Sequence, residues 1–206
     1  MRFPIPVQTG SYVVPGVEVH YPILYGLPNP AAQDKMNAAI RALVGEMIEA
    51  QRTGPAASGG GETTMTGLYE IKTNERGVLS LTLSNYAYMA PAAHGLTLLR
   101  SITFDAATGR AYSLAELFRN GTPYKDVIDA EIRRQIEERD VPLINEFRGI
   151  AADQPYYIAD KALVAYFQLY ELTPYVYGFP MFPISVYDLE SFVVEAGPLG
   201  RMLPGA

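Results

Sequence analysis

The rhythm of apolar and polar residues changes several times along the chain, and each change marks an element. Tyr12-Val13-Val14 and Val17-Glu18-Val19-His20-Tyr21 flank Pro15-Gly16, a turn dipeptide, so residues 11–25 predict a strand pair. Pro28 and Pro30 then introduce a helix from about Ala31 to Arg52. Met36, Ile40, Val44, Met47 and Ile48 recur in it at three- and four-residue steps and form one apolar stripe. Thr53 to Gly61 reads as a flexible, glycine-rich loop. From Thr66 to Tyr112 the period becomes two. Leu79, Leu81 and Leu83 alternate with Ser80, Thr82 and Ser84, the mark of a half-buried antiparallel strand, after a turn at Asn74-Glu75-Arg76-Gly77.

Leu96 to Phe104 predicts a further strand, and Asp105-Ala106-Ala107-Thr108-Gly109 closes a turn behind it. Ser113-Leu114-Ala115-Glu116 has capping-box spacing and opens a short helix that Asn120-Gly121 ends. Pro123 suits the first turn of a second helix running to about Arg139, with Val127, Ile128, Ile132 and Ile136 inward. Tyr156 to Ile158 and Ala162 to Leu172 predict strands, the second apolar on both faces and therefore central. Pro183 to Val186 reads as extended and Tyr187 to Glu190 as a turn of helix. Phe192-Val193-Val194 reads as a last strand and Gly197 onward as a frayed tail. Strands and helices are segregated, which predicts an α+β fold: an antiparallel sheet packed against a few helices, in two intimately associated halves. Residues 1–62 form the N-terminal half with its loop, 63–196 the C-terminal half, and 197–206 the tail.

The 206 residues are 49% hydrophobic and 18% charged, enough to bury a sizeable core. A formal charge of −6 with no Lys/Arg cluster argues against nucleic acid or an anionic membrane surface as partner. No apolar run reaches the roughly 18 residues of a membrane-spanning helix. The N-terminus, Met1-Arg2-Phe3-Pro4-Ile5-Pro6, lacks the apolar stretch of a signal peptide. The expectation is thus either a cytoplasmic chain or one whose export signal or anchor lies upstream. Without cysteine there is neither a disulfide nor a thiolate site.

Chemistry is sparse. His94, in Pro91-Ala92-Ala93-His94-Gly95, either contacts a ligand through its small-residue surroundings or braces a loop. His20 has no metal-ligand spacing to it, so no metal or other cofactor is expected. Glu171 either orients a ligand or satisfies backbone donors of the loop Thr173 to Gly178. A carboxylate pair for acid–base work would need Asp105, whose place is also explained by turn chemistry. The chain has 15 tyrosines and no tryptophan. Tyr86, Tyr88, Tyr175 and Tyr177 are the candidate ligand-contacting rings, since tyrosine suits sugar stacking and protein interfaces as well as strands with one wet edge. No phosphate loop, dinucleotide fingerprint or nucleophile elbow is present.

Three stretches resemble a pair of bacterial domains. Tyr21-Pro22-Ile23-Leu24-Tyr25-Gly26-Leu27, followed by Gln33, Met36 and Asn37, is similar to the first. Ala93-His94-Gly95, Phe104 to Gly109 and Leu114 to Phe118 are similar to the start of the second, and Phe167 to Gly178 to its end. That pair forms the extracellular region of lysozyme-sensing anti-sigma factors and precedes a peptidoglycan deacetylase domain. The chain carries no anti-sigma segment and no deacetylase domain. The resemblance therefore implies a non-catalytic, sensor-like binding module for a cell-envelope ligand, a lysozyme-like protein or a peptidoglycan fragment, in an extracytoplasmic setting. The alternatives are a cytoplasmic structural or regulatory protein that retained the fold, and a hydrolase using Glu171 and His94.

Overall fold

In the computed structural model the residues described are 4–53 and 63–204. Most of the expected glycine-rich loop, from residue 54 to 61, lies outside them. β1 (Val7–Val14) and β2 (Val17–Leu24) form the expected hairpin, with Gly16 at φ 76 in the turn. α1 (Pro30–Thr53) starts on a proline, whose missing N–H is not needed in a first turn. Asn29 caps it by accepting from Ala32 N at 3.3 Å. Its stripe of Met36, Ile40, Val44, Met47 and Ile48 is buried as predicted. The stripe meets Val17 and Val19 of β2, Leu79, Leu81 and Leu83 of β4 (Val78–Met89), and Phe104 of β5 (Leu96–Asp105). With β3 (Thr63–Glu75) these strands make one sheet in the order β1-β2-β3-β4-β5.

The sheet is not wholly antiparallel. β2 and β3 pair in parallel at Val17 to Val19, because α1 carries the chain over the sheet between them. The other pairs are antiparallel, and Arg76-Gly77, both at positive φ, close the β3–β4 hairpin where a turn was expected.

The far side of β4 departs from expectation. Ser80 and Thr82 do not face water; both are buried, as are Thr73 of β3 and Thr103 of β5. A second sheet, in the order β6-β7-β8, covers them: β6 (Tyr156–Ala159), β7 (Ala162–Tyr166) and β8 (Met181–Ser185). β6 is its edge strand, paired only to β7, so the outward N–H and C=O groups of every second residue need other partners. The hydroxyls supply them. Ser80 Oγ accepts from Ile158 N at 2.9 Å, and Thr73 Oγ1 donates to Ile158 O at 2.9 Å and accepts from Asp160 N at 2.8 Å. Ser101 Oγ donates to Tyr156 O. The Ser/Thr face of the first sheet is thus a seat for a strand edge.

The outer face of the second sheet packs on α2 (Tyr124–Glu138) through Ile128 and Ile132, and on α3 (Val186–Leu189). Only half of the expected capping box forms: the Glu116 carboxylate accepts from Ser113 N and Oγ, both at 2.8 Å, while Glu116 N donates to the Ser113 carbonyl rather than to its hydroxyl, ahead of a three-residue 3-10 helix, Ala115–Leu117. Three expectations are corrected. The strand predicted from Ala162 to Leu172 stops at Tyr166, and the chain turns through Tyr170 at φ 65. The last strand reduces to one bridge between Phe118 and Val193. The frayed tail is packed through residue 203: Leu199 and Met202 are fully buried in the larger core, and Arg201 bonds Asp105. Apolar side chains at 199, 202 and 203 outweigh the glycines and proline that suggested fraying.

Candidate functional site

β4 is longer than its cover. Along the face that bears Ser80 and Thr82, Ser84 is half-buried and Tyr86 emerges into solvent. Beneath this point Gln51, in the last turn of α1, donates to Asn85 O at 2.7 Å and to Leu96 O at 2.9 Å, which fixes where β5 begins. The chain enters β5 through Gly95, pressed against the Tyr86 ring. A Cβ there would collide with Ala87 O and with that ring, so only glycine fits. Gly95 N donates to the Tyr86 hydroxyl at 3.2 Å.

His94 stands beside it. Its Nδ1 lies 2.9 Å from Gly95 O, and since a carbonyl only accepts, Nδ1 carries the proton. In the neutral ring Nε2 is then the acceptor, and it receives the Tyr170 hydroxyl at 3.3 Å. The imidazole stacks on Tyr175 with centroids 4.5 Å apart, and Tyr175 lies 5.6 Å from Tyr170. The Tyr175 hydroxyl donates to Gly95 O at 3.3 Å. The structure therefore brings Tyr86, His94 and Tyr175 together and adds Tyr170, 46% exposed, which sequence reasoning missed. Pro174 and the polar Glu171 and Thr173 could have signalled a turn rather than a strand there, which would have freed Tyr170 to face outward.

The other candidates lie apart from this cluster. Tyr88 is half-buried two residues further along β4, where its carbonyl accepts from Thr64 Oγ1 at 3.4 Å. Tyr177 sits in the 3-10 turn Tyr175–Tyr177, packs on the larger core and accepts from Arg139 at 3.3 Å through its hydroxyl. Glu171 is exposed and closes its own turn by accepting from Gln168 N at 2.7 Å. It opens onto a cleft of about 550 Å³ along the outer edge of β5, walled also by Arg100, Ser101, Tyr112, Gln154 and Tyr156; His94 is not among its walls. Asp105 is engaged elsewhere, by Thr108 and Arg201. No paired carboxylates arise from Glu171 and Asp105.

Two phenols on the cleft wall are braces. Burial pushes Tyr156 above the ordinary phenol range and Tyr166 up to about 12, so both stay protonated. Tyr156 donates to Tyr112 O at 2.6 Å and Tyr166 to Ser101 Oγ at 3.0 Å. Among the described residues no group of three or more His, Asp or Glu side chains could hold a metal ion. No helix among them is long and apolar enough to cross a membrane.

Comparison with known proteins reaches the fold. A family described as "Protein of unknown function (DUF3298)" matches residues 115–187, from the 3-10 helix after Ser113 into α3. The crystal structure of a DUF3298 family protein from Pseudomonas aeruginosa PAO1 superposes with a TM-score of 0.69 at 17% identity, over 99% of each chain. A member of the same family from Bacteroides fragilis NCTC 9343 superposes with a TM-score of 0.63 at 11% identity, over 96% of this chain and 95% of that one. No curated protein matches. The matched segment lies within the half that the resemblance assigned to the second bacterial domain. Neither an anti-sigma factor nor a deacetylase is named among these relatives.

Proposed function

We propose that this chain is a non-catalytic binding module for a cell-envelope ligand, and that the platform of Tyr86, His94, Tyr170 and Tyr175 is its contact surface. The observation that carries the proposal is the pre-organisation of these rings. Each is fixed by hydrogen bonding or stacking that involves Gly95 or its neighbours, so little conformational freedom is lost on binding. Such a surface suits the flat face of a sugar ring, and a peptidoglycan fragment is the ligand it fits best. Both His94 nitrogens are engaged, and neither partner is a carboxylate that could orient a general base. That supports binding over the hydrolase alternative.

A lysozyme-like protein is the second reading, favoured by the formal charge of −6. Such a partner is basic, so its association would accelerate at low salt and weaken as salt rises. A muropeptide, which carries carboxylates rather than excess positive charge, would not weaken as salt rises. Titration with soluble muropeptides and with lysozyme, each at low and high salt, separates the two. Tyr175→Ala should weaken binding by about 1 kcal/mol or more, since an anchoring aromatic is lost. Tyr177→Ala should instead lower stability and leave affinity intact, because its ring packs on the core. Folded protein that binds neither ligand would move the reading to a cytoplasmic structural or regulatory role.

A further inference from the structure

β5 ends the first sheet, so the N–H and C=O groups of its odd-numbered residues point away from β4. Three positions along this edge have partners. Asp105 N donates to Arg110 O at 2.9 Å, and Thr103 O accepts from Tyr112 N at 3.0 Å. At Leu99 the Gln168 carboxamide does what a neighbouring strand would do: its Oε1 accepts from Leu99 N at 3.2 Å and its Nε2 donates to Leu99 O at 2.9 Å. Ser101 stands between these filled positions. Its hydroxyl is used by Tyr156 and Tyr166, but no described residue pairs with its backbone N–H or C=O. Ser101 lines the 550 Å³ cleft, which runs along this edge with Arg100, Ile102 and Thr103 also in its wall.

We propose that the cleft binds an extended peptide as an added strand, with one peptide residue exchanging both backbone hydrogen bonds with Ser101. The geometry selects among amides. The free N–H and C=O belong to a single residue and point the same way, so one partner must donate and accept on one side. A residue of an extended peptide does so, as does the primary carboxamide of Gln168 one position away. The acetamido group of a sugar does not, because a planar trans amide directs its N–H and C=O in opposite directions. Leu99 and Thr103, the flanking filled positions, are four residues apart, about 14 Å of strand, which limits the docked segment to about three or four residues. Affinity then comes mainly from the main chain and tolerates varied side chains, with Arg100, Asp153 and Glu171 in the cleft walls.

The cleft is separate from the aromatic platform, and the proposal does not rest on the glycan reading. The test follows the Ser101 amide resonance in 15N-labelled protein during titration with a pool of end-blocked pentapeptides of varied sequence, up to about 10 mM. The expected result is a saturable downfield shift of Ser101. A pool N-methylated at the central residue should bind at least about tenfold more weakly, having lost its donor. Tyr175→Ala should leave the peptide response unchanged whether or not that variant still binds muropeptide. An unmoved Ser101 resonance, an N-methylated pool that binds equally well, or an equal shift with N-acetylglucosamine would each overturn the proposal.

Discussion

Single side chains decide how the chain's end is held. Asp105 is nearly buried; its Oδ1 accepts from Thr108 N and Oγ1 at 2.8 and 2.9 Å, and its Oδ2 accepts from Arg201. Burial alone would raise its pKa. The Thr108 and Arg201 hydrogen bonds outweigh that and hold it below the ordinary value of 3.8. Because the folded pKa is lowered, the stability it contributes is complete above the unfolded value and is lost as pH falls through the folded one. Asp105→Asn should therefore cost about 2 kcal/mol near neutrality. Denaturant titrations of the two proteins should converge as the pH falls below about 4. A difference independent of pH would mean that the carboxylate's charge is not what matters. Arg76 completes the latch by donating to the carbonyls of Arg201 and Leu203.

Among the elements, β4 has one face for each layer. Its leucines meet α1, and its Ser80 and Thr82 lie under the second sheet, where Ser80 serves a buried, otherwise unpaired strand edge as a second strand would. Removing a hydroxyl strands a buried backbone group, and this costs more than a surface hydrogen bond is worth. Ser80→Ala and Thr73→Val should each lower stability by about 1–3 kcal/mol. Their effects should not add, since both hydroxyls serve Ile158 and the double variant tests that coupling. Additive losses below about 0.5 kcal/mol each would show that water replaces the hydroxyls.

At the scale of the whole molecule, the two sheets meet through this polar seat and through the C-terminal latch, both built from residues after 62. Residues after 196 return to the β3–β4 turn of the first sheet, while Leu199 and Met202 fill the core of the second. We therefore propose that the two sheets unfold together. Near-ultraviolet tyrosine dichroism and far-ultraviolet dichroism should report one coincident denaturant transition. Two separated transitions would mean that the seat and the latch are too weak to couple the sheets.

The sequence by itself determined what depends on local periodicity and turn chemistry. It set the α1 stripe, the hairpins at Pro15-Gly16 and Arg76-Gly77, the Ser113–Glu116 turn and the α+β character, because a 3.6- or 2-residue repeat or a turn residue needs no distant partner to be recognised. Tertiary structure decided what each face meets. Alternating leucine and hydroxyl residues in β4 look the same whether the hydroxyls face water or a strand edge 78 residues away, as with Ser80 and Ile158. Likewise nothing local distinguishes Tyr177, which packs on a core, from Tyr175, whose ring stacks on His94, with its hydroxyl on Gly95 80 residues earlier. The parallel β2–β3 pair, the packed C-terminal segment and the open position at Ser101 belong to the same class. Each depends on which segments the folded chain brings side by side, and hydrogen-bond complementarity between distant segments leaves no periodic trace in the sequence.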